Sequence, residues 1–261
     1  MSPAGPTPFL MYHELARPGR PLCSTDPGYV RYVVAESDFR AQMAHIVASG
    51  QRGVGVSAWL AGDAAFAERS VVLTFDDGCE TDLVAAAPIL REHGFGATCY
   101  LTVAYLDRPG YLTREQVREL VATGIEVGSH SMSHAYLSDI DDAALHREIV
   151  ESKRELEQIA GTAIRSFSCP GGRHDGRVLP MARLAGYETV TTSQPSGNDH
   201  GRHTRMLGRT AILRPMRMDQ FAALVSGRKP TAHKWRELAL GSAKRMLGNT
   251  MYDKLRTALL R

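Results

Sequence analysis

Three observations predict an α/β fold with a parallel sheet, of the size of one barrel domain. Short apolar, β-branched runs alternate with amphipathic helical patterns along most of the chain, the order expected of repeated strand-helix units. The polar clusters that could carry chemistry fall at the C-terminal ends of those runs, where barrel active sites are built. Finally, a chain of 261 residues with 43% hydrophobic residues can bury one sizeable core, and α/β barrels commonly occupy this length as a single domain.

The first run, Phe9-Leu10-Met11-Tyr12-His13-Glu14, reads as a strand ending in polar residues, preceded by a short, proline-rich, uncharged start from Met1 to Pro8. Ser37 is placed to cap a helix carrying Phe39, Met43, Ile46 and Val47 on one face and ending near Gly50. The glycines of Gly53-Val54-Gly55-Val56-Ser57 lack dinucleotide-binding spacing, so this stretch reads as a connector into a short helix at 57–62. The run from Val71 to Asp77 is a strand, followed by a helix from Asp82 to His93 and a strand from Ala97 to Val103. Thr113 with Gln116 three residues on forms a capping box for a helix reaching Thr123.

Glu126 to His130 is the next strand, and a long helix follows from Asp141 to Ala160, stopped at Gly161. Its Glu148, Glu151, Lys153, Arg154, Glu155 and Glu157 read as a solvated face. Phe167 to Pro170, Glu188 to Ser193 and Thr210 to Leu213 supply three more strands, while Gln194 to Arg205 reads as a loop able to border a groove. The main domain therefore spans residues 1–230. Beyond it, Thr231 to Arg261 holds seven Lys or Arg against two Asp or Glu, with Leu247, Met251, Leu255 and Leu259 four apart. That is a basic amphipathic helix, which can pack on the barrel or make peripheral contact with an anionic membrane.

A net charge of +3, with no basic stripe interleaved with aromatics, argues against nucleic acid as a partner. Cys23, Cys79, Cys99 and Cys169 have no CxxC spacing, which fits reduced thiols. With no signal-peptide pattern and no apolar run of membrane-spanning length, a cytoplasmic location is expected, and with it a substrate found inside the cell.

Two clusters point to a metal site. Thr74-Phe75-Asp76-Asp77-Gly78 closes one strand and His130-Ser131-Met132-Ser133-His134 closes another. Neighbouring carboxylates share a pocket only where the strand ends and the backbone turns, which Gly78 permits. Histidines four apart lie on one face of a helical turn, so both can reach one divalent ion with one Asp, leaving the other Asp free as a base.

On these two motifs, in this order, the chain resembles the polysaccharide deacetylases of carbohydrate esterase family four. The resemblance implies a distorted barrel of about seven strands and helices, covering roughly residues 9 to 226. It also implies that Asp76 is the catalytic base and that Asp77, His130 and His134 hold a divalent metal, zinc first and cobalt or nickel as alternatives. The third family motif differs: where many members carry an arginine that steadies the base, this chain has Ser168 in Ser166-Phe167-Ser168-Cys169-Pro170-Gly171-Gly172, so Asp76 is expected to lack that partner. The stretch is closer to the branch acting on exopolysaccharides, which implies that Gly171, after Pro170, offers a backbone N–H to the oxyanion.

The usual C-terminal histidine is also missing, since Arg209-Thr210-Ala211-Ile212-Leu213-Arg214-Pro215 contains none. The exopolysaccharide branch takes its acid from an N-terminal Tyr-His, which maps to His13, with Asp175 or Asp199 as possible orienting partners. His174, His200 and His203 lie in loops where solvated surface is the default reading. The implied activity is hydrolysis of N-acetyl groups on amino sugars of a glycan. The alternatives are an O-acetyl esterase, a sugar deformylase, or a carbohydrate-binding protein without activity, the last supported by the two missing residues.

Overall fold

Every strand of the main sheet runs parallel to its neighbours, and the right-handed twist between successive strands curls it. The computed structural model describes residues 6–195, 198–200 and 206–226. Its strands are β1 (Phe9–Tyr12), β2 (Leu15–Ala16), β3 (Val34–Ala35), β4 (Arg52–Val54), β5 (Ser70–Asp77), β6 (Thr98–Leu101), β7 (Glu126–Ser129), β8 (Ser166–Ser168), β9 (Thr189–Thr191), β10 (Met206–Leu207) and β11 (Thr210–Ala211). The sheet runs β10-β9-β8-β7-β6-β5-β1-β11, with β4 beside the start of β5, and β2 pairs with β3 separately. This is the expected distorted (β/α) barrel; its main sheet has two more short strands than the sequence suggested, β4 and β10, and the β2-β3 pair is a further addition.

The two outer strands, β10 and β11, are consecutive in the chain and separated only by Gly208 and Arg209. The chain therefore crosses from one edge of the sheet to the other within two residues. Alternation along the strands sorts side chains into two layers. Leu10, Tyr12, Leu73 and Phe75 enter the large core beneath the helices, where Tyr12 meets Phe39 edge-on and stacks on Phe75. Phe9 and Val72, from the opposite face, join Val54, Val56, Trp59, Ala67 and Leu207 in a smaller apolar cluster. Thr74 and Asp76 continue that second face of β5 toward its C-terminal end.

Most elements fall where expected, and the differences have physical causes. The first long helix, Glu36–Ala48, starts before Ser37 and has no side-chain cap, and Val47 is 48% exposed while Phe39, Met43 and Ile46 are buried. The connector at 52–54 pairs with β5 as β4, and a further helix, Ala64–Glu68, is capped by Asp63. The capping box at Thr113 and Gln116 is present. The long acidic helix is α-helical over Asp142–His146 and Ser152–Ala160 but passes through a wider π-turn at Arg147–Glu151. Two helices, Val178–Leu184 without a side-chain cap and Met218–Val225 with the Gln220 side chain accepting from Arg217 N at 3.0 Å, complete the described chain. The basic tail at 231–261, its membrane contact and the boundary at 230 lie outside the described residues, as does His203. Among the described residues no helix is long and apolar enough to cross a membrane.

Candidate active site

The barrel interior at the C-terminal end of β5 is polar. Asp76 is 2% exposed and Arg209 fully buried, and the two form a bidentate pair, Nη1 to Oδ1 and Nη2 to Oδ2, both at 2.7 Å. The guanidinium also donates to Thr74 Oγ1 at 3.0 Å, Ser168 Oγ at 2.8 Å and the Thr192 carbonyl at 3.2 Å. All five of its N–H groups are thereby used. Tyr100 lies against it, 5.2 Å from ring centroid to guanidinium carbon.

The expectation that Asp76 lacks an arginine is overturned. Ser168 does stand where the family's arginine would be, but it accepts from a guanidinium delivered by the two-residue link between β10 and β11. Burial alone would raise the Asp76 pKa, but Arg209, and after it His130, outweigh burial and hold the carboxyl well below the usual carboxylate range.

Asp77 is aimed differently. Its backbone takes φ 81° and Gly78 follows at 80°, so the turn begins on the aspartate itself and not only on the glycine. Its Oδ1 lies 3.5 Å from His134 Nε2 and 3.7 Å from His130 Nε2. These three side chains form a donor set whose ligating atoms lie within 4.8 Å of one another. His130 Nδ1 is 2.9 Å from the Ser168 carbonyl; with the proton on that nitrogen, the Nε2 lone pair faces Asp77. Asp77 Oδ1 is buried and has no hydrogen-bond partner. An orphaned carboxylate oxygen beside two imidazoles of this mixed N/O set fits a divalent cation.

The two histidines do not share a helical turn as expected. Ser131 and His134 both take left-handed backbone, φ 75° and 67°, folding residues 131–134 into a tight loop that brings the rings to 5.0 Å. Such backbone persists only when its surroundings impose it. Here Glu148, 7% exposed, accepts from Met132 N at 3.0 Å, Ser133 N at 2.9 Å and Ser133 Oγ at 2.6 Å. Glu148 was expected on a solvated face, but it sits in the π-turn, where the helical period is interrupted and a surface assignment by spacing fails. If the donor set of Asp77, His130 and His134 takes a divalent cation, Glu148→Ala is expected to weaken its binding by about 10–100-fold, read by metal titration, while the fold is retained in circular dichroism.

His13 continues the inward face of β1 beside Asp76. It feels the charges of Asp77, Asp76, Arg209 and His134, its ring packs 4.7 Å from Tyr32, and its enclosed Nδ1 has no hydrogen-bond partner. Burial lowers its pKa, while the Asp77 and Asp76 charges oppose that shift. Asp175 does not orient it, being held by Arg177 at 2.7 Å.

Pro170 and Gly171 open the turn after β8. Gly171 has φ 58°, and a Cβ there would come within 2.9 Å of the Tyr136 ring. That ring in turn carries the Arg173 guanidinium at 4.0 Å, so the exposed Gly171 backbone is flanked by an aromatic platform. A second aromatic, Tyr105, stacks on His134 at 5.8 Å. His174 bonds to the Gly172 carbonyl and His200 packs edge-on against Trp59, so neither joins the site. Cys169 is a buried core residue, its thiol pushed up by burial to about 12.

The sequence profile of the polysaccharide deacetylase family matches residues 63–190. That match contains Asp76, Asp77, His130, His134, Pro170 and Gly171 but neither His13 nor Arg209. A peptidoglycan-N-acetylglucosamine deacetylase of Bacillus cereus is 32% identical over 127 residues, 48% of this chain and 57% of that protein. A chitooligosaccharide deacetylase of a Bradyrhizobium strain is 33% identical over 128 residues, 47% of this chain and 55% of that protein. The chain thus spans little more than half the length of these two relatives. A solved polysaccharide deacetylase of Bacillus cereus matches with a TM-score of 0.71 at 26% identity, covering 84% of this chain and 69% of its own. A Streptococcus pyogenes deacetylase, 22% identical, shares the fold with a TM-score of 0.73 over 86% of this chain and 99% of its own.

Proposed function

Since this chain belongs to the polysaccharide deacetylase family, we propose that it is a metal-dependent hydrolase that removes N-acetyl groups from amino sugars of a glycan. The observation that carries this reading is the pairing of a buried, arginine-held carboxylate, Asp76, with the adjoining donor set of Asp77, His130 and His134. When bound by those three side chains, a divalent ion, zinc in our reading, supplies charge that polarises the acyl oxygen and acidifies an attacking water.

The protein's own groups do the rest. Asp76, kept ionised by Arg209, takes the proton from the attacking water. The Gly171 N–H donates to the oxygen that gains charge as the carbonyl becomes tetrahedral. His13 returns a proton to the departing sugar amine, and the Tyr136 and Tyr105 rings offer faces on which sugar rings can pack. Arg209 also removes one ground for a purely binding role, because the base no longer lacks its cationic partner.

The test is acetate release from N-acetylglucosamine oligomers by the zinc-loaded protein. Release is expected for the wild type and lost in His130→Ala, which also loses the metal. His13→Ala is expected to keep the metal, lower kcat by about 10²–10⁴-fold and abolish the alkaline limb of the kcat–pH profile. Release of acetate only from O-acetylated sugars would overturn the amide assignment, and unchanged turnover in His13→Ala would remove His13 as the acid.

A further inference from the structure

Beside the turn that carries Asp77, two of the four cysteines meet. Cys23, in the segment after β2, and Cys79, in the turn after Asp77, place their sulfurs 3.6 Å apart although 56 residues separate them. Cys79 is fully buried and Cys23 is half-buried, so Cys23 is the more exposed partner of the pair. The approach is built. Cys23 N donates to the buried Glu14 carboxylate at 3.0 Å, and its thiol reaches the Gly110 carbonyl at 3.1 Å. A Cβ on Gly110 would come within 2.9 Å of the Cys23 sulfur, so the absent side chain leaves room for that thiol. The Tyr29 hydroxyl bridges Glu14, at 3.0 Å, and Cys79 Sγ, at 3.3 Å. Cys99 and Cys169, in contrast, are packed in the main core.

We propose that Cys23 and Cys79 are an oxidative cross-linking site, a thiol pair that closes a disulfide when the protein meets a peroxide. Cys23 lies in no strand or helix and Cys79 pairs only through an isolated bridge with Tyr111, so side-chain rotation with a shift of the Cys23 segment can bring the sulfurs from contact to the bonding distance of about 2.05 Å. Cys23 sulfur attacks the peroxide, gaining a hydroxyl as sulfenic acid while the O–O bond breaks and water leaves. Cys79 sulfur then displaces that hydroxyl, which departs as a second water carrying the thiol proton. Two thiols lose two electrons and hydrogen peroxide takes them up. The bond joins the segment between β2 and the next helix to the turn that follows Asp77.

Peptide mapping after treatment of the full chain with hydrogen peroxide tests this without any activity measurement. The expected result is a single linked peptide containing Cys23 and Cys79, with the free thiols of the subsequently unfolded protein falling from four to two. In Cys79→Ser, Cys23 is expected to stop at sulfenic acid, trapped by a cyclic 1,3-diketone, and in Cys23→Ser, Cys79 is expected to stay unmodified at the same dose. Four free thiols after treatment of the wild type, or a link involving Cys99 or Cys169, would overturn the proposal. So would a zinc ion held by the pair in His130→Ala that shields both sulfurs from peroxide.

Discussion

Asp76→Asn is expected to bind zinc with unchanged stoichiometry and to lose turnover by about 10²–10⁴-fold. The amide cannot take a proton from water, while the donor set of Asp77, His130 and His134 keeps its atoms. The substitution also strips Arg209 of its charge partner, so the melting temperature falls too, and metal titration is therefore done well below it. Loss of zinc together with activity would assign Asp76 to the metal and not to proton transfer. Asp77→Asn separates the two roles from the other side, because there the metal is expected to go first.

Arg209→Met carries the largest expected cost to folding, about 3–5 kcal/mol, the range for breaking a buried ion pair by removing one partner. The Asp76 carboxylate would remain buried without its guanidinium, with His130 Nε2, 3.7 Å away, as a far weaker partner. Wild-type Asp76 has a pKa depressed below its unfolded value. Its contribution to stability is therefore fully present above the ordinary carboxylate range and lost as pH falls through the folded value. In Arg209→Met, burial acts unopposed by the arginine and raises the folded pKa, so acid relieves the variant's strain by neutralising the carboxyl. The gap in melting temperature between wild type and variant should be widest near neutrality and shrink below about pH 4. A gap independent of pH would mean that Arg209 acts through packing and not through charge. The double variant with Asp76→Asn should cost less than the two single losses added, since neither charge is then left alone.

The sequence carried the barrel because its strands are short, β-branched and regularly interleaved with helices. That Asp76, Asp77, His130 and His134 come together was legible because each cluster closes a strand and both lie close in the chain to the turns that aim them. Arg209 was not legible: it lies 133 residues from Asp76, in a Leu-Gly-Arg-Thr stretch with no local pattern, and only sheet closure brings them together. Glu148 was missed for a different reason. Its helix is charged on most turns, and the π-turn that buries it leaves no mark in residue spacing. The histidine loop was placed correctly but given the wrong backbone, because two left-handed serine and histidine residues held by a distant carboxylate are a tertiary effect. Cys23 and Cys79 lie in the same class as Arg209, partners joined by topology and not by motif.

The link from β10 through Gly208 and Arg209 to β11 makes the order of assembly matter. The Asp76 carboxylate is laid down early in the chain, whereas the guanidinium that neutralises it arrives only with the last two of the described strands. A nascent or truncated chain ending before residue 209 could form β5 and even gather the metal donors, yet it would hold an uncompensated charge at its centre. Charge balance at the centre of the barrel and completion of its sheet are thus a single event, since Asp76 gains its partner only when β10 and β11 have docked.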